Sequence, residues 1–337
     1  MNKNDSEHIA GMLEFNGLKA GEEATADVIV YNTCAVREKA EIRVVQHLKR
    51  IDYFRKKTGR VVELYLAGCM PAYNKEALKK QLPFLTGFID VAEARQYPAR
   101  RANSPEAWVT IMSGCNNFCA YCIVPYTRGR EISHSVEAIL AEIAQIPFAA
   151  YEIVYLLGQN VNSFCGTYQG NSMTFPQLLA LILERFPALP KLGFLTSHPK
   201  DMSDELIEVV ARHPRMAREI HFPLQAGSDR ILELMNRGYT YEQYKTLVSK
   251  LRAKVPDVLI ATDLIVGFPT ETEAEFADTL KAVHELGFYK VISAGYSPRQ
   301  GTSAATMVQL PQAVIDERLL QLNALVNAYK DKKLMVE

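Results

Sequence analysis

From residue 107 onward, six apolar runs of strand length alternate with amphipathic runs of helix length, and such alternation leaves few folds open. The strand-like runs are "AWVTIMSG" (107–114), "YEIVYLLG" (151–158), "KLGFLTS" (191–197), "REIHFPLQ" (218–225), "VLIATDLIVGF" (258–268) and "YKVISAGYS" (289–297). Helical runs fill the gaps at 135–146, 175–186, 203–213, 228–237, 241–255 and 272–287, and a long one closes the series at 311–333. Phe276, Leu280 and Val283 fall at helical spacing, as do Ile315, Leu319, Leu322 and Val326. Near-continuous apolar strands are those of parallel sheets covered by helices on their faces. Successive βα units with right-handed crossovers build one parallel sheet. Six units fall short of the eight in a closed barrel, so the expectation is an open, partial (βα)6 barrel.

The first hundred residues form a smaller α/β unit. "ADVIVYNTC" (26–34), "RVVELYLAGC" (60–69) and "GFIDV" (87–91) are strand-like, with helices at about 37–57 and 76–82. The polar, proline-containing stretch 92–106 is the linker, so the division expected is 1–98 and 104–337. The chain opens on a loop and helix, "MNKNDSEHIAGMLEFNG", where a doubly wound unit normally opens on a strand, so a first strand is expected upstream. With 337 residues, two domains is the natural division. No apolar run reaches the roughly 18 residues of a membrane span and no secretory signal opens the chain, so a soluble, cytoplasmic protein without membrane partners is expected. Lys plus Arg and Asp plus Glu both number 38, so nucleic-acid binding must use local basic patches.

Six cysteines in a long chain of this kind point to metal or redox chemistry rather than a disulfide framework. Cys115, Cys119 and Cys122 are spaced C-x3-C-x2-C directly after the first barrel strand, at the end where such folds keep their chemistry. Three thiolates fill three corners of a four-iron cluster and leave one iron open to a small ligand. A zinc site with a remote fourth ligand, or plain buried thiols, are the alternatives. Cys34 and Cys69 each end a strand of the first unit, where neighbouring carboxyl ends meet. They are either a second cluster site or two unrelated buried thiols.

The cysteine loop, with Tyr121 before its last cysteine, resembles that of the radical S-adenosylmethionine (SAM) enzymes. In that superfamily SAM chelates the open iron and is cleaved by an electron from the cluster to a 5′-deoxyadenosyl radical. Across nearly the whole chain "NTCAVR" (32–37), "AGCMPA" (67–72), "GCNNFCAYCIVPYTRGRE" (114–131), "LGQNVNS" (157–163), "TSHPKD" (196–201), "QAGSDRILELMNRGYT" (225–240), "TDLIVGFPTET" (262–272) and "YSPRQGTSAA" (296–305) resemble, in order, the radical SAM methylthiotransferases. "PYTRG" and "GQNVNS" are most similar to the branch that makes 2-methylthio-N6-dimethylallyladenosine in tRNA.

The resemblance implies two [4Fe–4S] clusters. Cys115, Cys119 and Cys122 would hold the radical cluster, and Cys34 and Cys69 an auxiliary one whose third cysteine falls just upstream of Met1 in the family pattern. A C-terminal RNA-binding β-barrel would begin about where the chain stops. Implied SAM contacts are Tyr121, Gln159, Asn160, Ser197, Gln225, Asp263, Val266 and Gly267, which lie in the cysteine loop or at and after strand ends. The implied reaction uses two SAM molecules to methylthiolate C2 of N6-isopentenyl-adenosine beside the anticodon, at tRNA position 37. The first unit would have to sit over the barrel mouth, because sulfur supply and C–H activation must meet. An electron donor such as flavodoxin or ferredoxin is implied; the sulfur donor is not.

Alternatives are the same chemistry on threonylcarbamoyl-adenosine or on a ribosomal-protein aspartate, and a non-catalytic metal-binding RNA-binding protein. Arg100, Arg101, Arg128 and Arg130 are candidates for RNA phosphates. Lys49, Arg50, Arg55, Lys56, Lys57 and Arg60 are expected on a solvated helix face, and His198 and His221 in structural roles. His134, Gln300 and Ser303 depart from the family pattern, and Cys165 matches no family cysteine.

Overall fold

A computed structural model describes residues 1–34, 38–101 and 104–334. Residues 35–37 of the "NTCAVR" stretch and 102–103 of the linker lie outside that range. Helix α1 (Asn2–Phe15) leads into a three-stranded parallel sheet of β1 (Val28–Thr33), β2 (Glu63–Gly68) and β3 (Gly87–Ile89), in that order. Helices α2 (Glu38–Thr58) and α3 (Cys69–Gln81) connect the strands. Helix α3 begins seven residues earlier than its apolar spacing suggests. The reason is Thr33, whose hydroxyl donates to the Ala67 carbonyl at 2.7 Å and accepts from the Met70 amide at 3.3 Å. One side chain thus bridges two strand ends and satisfies an otherwise orphan amide of the first helical turn. The linker also carries a helical turn, Val91–Ala94, capped by the Asp90 carboxylate.

The larger unit contains β4 (Glu106–Thr110), β5 (Ile153–Leu157), β6 (Leu192–Phe194), β7 (Glu219–His221), β8 (Leu259–Val266) and β9 (Lys290–Gly295). All pair in parallel, β4–β5–β6 in one sheet and β7–β8–β9 in another. A bridge between Leu192 and Met216 joins the two, so six strands run in chain order round an open barrel, as the βα alternation implies. Between them lie α4 (Val136–Ala144), α5 (Phe175–Arg185), α6 (Asp204–Arg212), α7 (Asp229–Leu234), α8 (Tyr241–Lys254) and α9 (Glu273–Leu286), with α10 (Gln312–Leu334) last. Their inward residues, among them Ile139, Leu179, Leu206, Val248, Phe276 and Leu322, are buried in one core with Val109, Val154, Ile220 and Leu264 of the strands. Phe222 and Tyr244 stack there with centroids 4.9 Å apart, and each is fully buried.

The first strand is shorter than the run 107–114 suggests. It stops at Thr110, and Met112–Ser113 pairs instead, antiparallel, with Ile132–Ser133. That two-residue ribbon is the neck of the loop holding the three cysteines. A second antiparallel ribbon, Cys165–Tyr168 with Asn171–Thr174, carries the exposed Cys165.

Helix α1 holds the two units together through polar residues that are almost wholly buried: Asn4, Asp5, Glu7 and His8. Asn4 donates to the Trp108 carbonyl at 2.9 Å and accepts from the Thr110 hydroxyl at 2.6 Å. Arg101 bonds Glu7 at 3.1 Å and Glu142 at 2.7 Å. In the loop after the last barrel strand Arg299 pairs with Glu41 at 3.1 Å, and Tyr73 donates to the Gln300 carbonyl at 2.6 Å. No described helix is long and apolar enough to cross a membrane.

Candidate iron–sulfur and SAM site

The cysteine loop is fixed from three sides. Gly114 turns it with φ +78°, and any Cβ there would lie 2.0 Å from the Arg130 carbonyl oxygen, so only glycine fits. The Cys115 amide donates to Gly129 at 3.2 Å, and the Cys122 amide to Cys119 at 2.9 Å. Ala120 donates to Met235 and accepts from Ala304, both at 2.9 Å. Ser303, a departure from the family pattern, donates to the Ala120 carbonyl at 3.4 Å. Burial pushes the Cys115 thiol up and raises Cys122 to about 12, the latter reinforced by the neighbouring Cys119. All six cysteines are free of disulfides. Among the described residues no three His, Cys, Asp or Glu side chains converge on the space of a single ion.

Polar residues expected at the carboxyl ends of the parallel strands carry unused hydrogen-bonding capacity. Gln159 Oε1, Asn160 Oδ1, Ser197 Oγ and Gln225 Oε1 are buried and lack a protein partner. Native proteins seldom leave such atoms orphaned, so four of them at strand ends fit a polar ligand. Asn160 does donate through Nδ2 to Asp201, at 2.7 Å. Gln225 and Thr196 adopt φ of +77° and +71°, a left-handed backbone that costs about 1–3 kcal/mol for non-glycine residues and clusters at ligand sites. Gln225 is pinned there by bonds from its amide to Asp263 and from Ile265 to its carbonyl, both 2.9 Å.

Asp263 is half-buried and lies 3.2 Å from His221 Nε2. Val266 is buried, and the Gly267 amide already donates to Glu271 at 2.7 Å, so that amide is committed within the protein. Tyr121 packs against the barrel core, where burial pushes its phenol well up against the pull of Arg237. Beside the loop is a cavity of about 390 Å³ lined by Asn117, Glu131, Ser163, His198, Lys200 and Arg237, among others. Burial, helped by Arg237 and Lys200, lowers the His198 imidazole to about 2, so it is neutral. Its Nδ1 accepts from the Lys200 amide at 3.3 Å, which places its proton on Nε2, a buried donor without a partner.

Of the first unit's cysteines, Cys69 contacts the cysteine loop. The β1–β2 register pairs Thr33 with Gly68, so Cys34 and Cys69 follow side by side. Cys69 packs on Ile123 of the cysteine loop. Arg128 reaches across from that loop, donating to Cys69 Sγ at 3.3 Å and to Asp5 at 2.8 Å, while Arg95 holds the other Asp5 oxygen at 2.5 Å.

This corrects the assignment of Arg101 and Arg128 to RNA, while Arg100 and Arg130 stay exposed. Arg101 and Arg128 are used inside the protein, Arg100 pairs with Glu14 at 2.7 Å, and Arg130 lies 4.3 Å over the Phe118 ring. In the α2 group, Arg55 likewise bonds Asp52 and the Val62 carbonyl, both at 2.9 Å, whereas Lys49, Arg50, Lys56 and Lys57 are exposed as expected. Sequence reasoning gave no role to Asp5, Arg237 and Tyr239. Their signal was an acid in an N-terminal helix and a basic residue in a glycine-flanked turn, neither of which reveals burial.

Comparisons with known proteins agree with this geometry. The Radical SAM superfamily model matches residues 109–283, and the model of an uncharacterized protein family, UPF0004, matches residues 1–90. The chain is 41% identical over 359 residues to a tRNA-2-methylthio-N(6)-dimethylallyladenosine synthase of Carboxydothermus hydrogenoformans, covering 97% of this chain and 81% of that protein. It is 40% identical to a protein of that name from Thermotoga petrophila, covering 98% and 79% respectively. Among solved structures, the radical SAM methyltransferase TsrM from Kitasatospora setae aligns with a TM-score of 0.60 at 12% identity, over 87% of this chain and 70% of that one. The cobalamin-dependent SAM radical enzyme OxsB aligns with a TM-score of 0.57 at 12% identity, over 96% and 53%. These two show the fold alone. The chain belongs to the radical SAM superfamily and, within it, to the methylthiotransferase family of the tRNA-2-methylthio-N(6)-dimethylallyladenosine synthases.

Proposed function

We propose that this protein methylthiolates C2 of N6-isopentenyl-adenosine at position 37 of tRNA, with two [4Fe–4S] clusters and two SAM molecules. The observation that supports the reading is Cys69 of the first unit held by Arg128 and Ile123 to the C-x3-C-x2-C loop. Cys115, Cys119 and Cys122 are the three thiolates for the radical cluster, and Cys34 and Cys69 supply thiolates to the auxiliary one. A reduced radical cluster supplies the electron that cleaves SAM. Gln159, Asn160, Ser197 and Gln225 orient SAM's polar groups with atoms that have no other partner. Tyr121 and Val266 give the adenine apolar wall, and Asp263 completes the polar rim. Covering the mouth with the first unit excludes water from the reacting atoms.

The two sheets and their linker support a division into a first domain of 1–98 and a radical SAM domain of 104–337. The anticodon loop suits such a mouth because its bases splay out singly. Flavodoxin or ferredoxin is the class of electron donor, and the cytoplasm is where such partners meet tRNA. Incubation of the reconstituted protein with isopentenylated tRNA, threonylcarbamoylated tRNA and ribosomal protein, followed by mass spectrometry, tests the substrate. Methylthiolation of the first alone is expected, and modification of either other substrate in its place would refute the assignment.

A further inference from the structure

The turn after α7 buries Arg237 against the cysteine loop. Its Nη1 donates to Cys119 Sγ at 3.2 Å and to the Tyr121 hydroxyl at 3.4 Å. Its Nε donates to the Tyr239 hydroxyl at 2.9 Å and its Nη2 to the Pro223 carbonyl at 3.2 Å. Only 4% of the residue is exposed. The backbone is shaped to put it there. Asn236 (φ +56°) and Gly238 (φ +70°) flank it in left-handed conformations, and the Asn236 amide grips the Asn117 and Phe118 carbonyls, each at 3.1 Å.

No carboxylate pairs with Arg237 among the described residues, although the buried Arg318 pairs with Glu271 and Glu273 and the partly buried Arg101 with Glu7 and Glu142. A buried cation without a counter-charge is strongly unfavourable, so a site that keeps one is arranged around an anion. The partners of Arg237 are two phenols, a carbonyl and one cysteine sulfur, and only that sulfur becomes fully anionic when it binds iron.

We infer that Arg237 is a positioning residue that sets the reduction potential of the radical cluster through its hydrogen bond and charge on the Cys119 sulfur. The inference rests on the radical SAM reading of the loop. Adding an electron makes a thiolate-bound cluster more negative, and a guanidinium donor beside one sulfur favours that form, raising the potential. Neutral Arg237→Gln loses the charge. Arg237→Lys keeps the charge but cannot serve Cys119, Tyr121, Tyr239 and Pro223 at once.

The test is anaerobic reconstitution of wild type, Arg237→Gln and Arg237→Lys, with iron and sulfide analysis and an EPR-monitored redox titration of each. The expected result is iron retained in the variants and, in Arg237→Gln, at least a tenfold loss in the equilibrium constant for reduction, about 59 mV toward more negative potential for a one-electron couple. Arg237→Lys shifts the same way by less, and both change the EPR signature. An unchanged potential and signature in whichever variant loads iron overturns the inference. So does loss of iron from both variants with the fold intact by circular dichroism, since Arg237 would then be a structural requirement of the loop. A wild-type protein that binds no cluster contradicts the radical SAM reading itself, which separates that failure from this one.

Discussion

Cys119 is the cysteine whose sulfur an arginine touches, and it illustrates how much of the site depends on single atoms. Replacing it by alanine removes one of three thiolates and leaves Arg237 buried without its one sulfur partner. Cys119→Ala is expected to abolish 5′-deoxyadenosine formation and to lose most radical-cluster iron. Measurable product from the purified, reconstituted variant would contradict the ligand assignment.

A second residue-scale prediction concerns Glu275, in the capping box of α9. Arg230 reaches it with two nitrogens, at 2.7 and 3.1 Å, and that hydrogen bonding holds its carboxyl down to about 2. Because the folded-state value lies below the unfolded one, the stabilisation is complete above the ordinary carboxylate range and is lost as pH falls through about 2. Glu275→Gln should cost about 1–2 kcal/mol at pH 7, and the gap to wild type should close toward pH 2 in urea titrations.

At the scale of elements, α1 is the part the sequence concealed. "MNKNDSEHIAGM" has the polarity of a solvated helix, yet it buries Asn4, Asp5, Glu7 and His8 beside the apolar Ile9. Periodicity reveals apolar faces and is silent on a polar face buried by complementary arginines. The same blindness explains why Arg101 and Arg128 looked free for RNA. Where burial is apolar, sequence and structure agree closely: the six strands, their helices and the order of the sheet were legible because each buries one hydrophobic face. The residues proposed to hold SAM were picked out for a different reason, namely that strand ends of a parallel barrel converge. Glycine-dependent geometry, such as the turn at Gly114, and strained residues such as Gln225 have no signature in hydropathy.

The α1 contact has a consequence for coupling. Asp5 is shared by Arg95 and Arg128, and Arg128 also holds Cys69. Asp5→Ala strands two partly buried guanidinium groups, a loss of about 3–5 kcal/mol in packing of the first unit on the barrel. The barrel keeps its own core, so SAM cleavage should persist while methylthio transfer falls at least tenfold. The ratio of 5′-deoxyadenosine to methylthiolated product, measured in one reaction, checks this. Parallel loss of both products would show that the contact supports folding rather than alignment.

On the scale of the whole molecule, the proposed function makes the first unit the sulfur carrier, packed against the cysteine loop of a radical SAM barrel. Such an enzyme must admit its substrate base between the two, and a bulky apolar substituent on that base contributes binding through buried area, at roughly 25 cal/mol per Å². The central claim is therefore tested most directly by comparing one tRNA with and without its isopentenyl group in the reconstituted enzyme with SAM and reductant. Digested tRNA analysed by mass spectrometry should show 2-methylthio-N6-isopentenyl-adenosine from the modified tRNA and little methylthioadenosine from the unmodified one. Equal rates on both, or no methylthiolation of either while SAM is still cleaved and both clusters are loaded, would contradict the account.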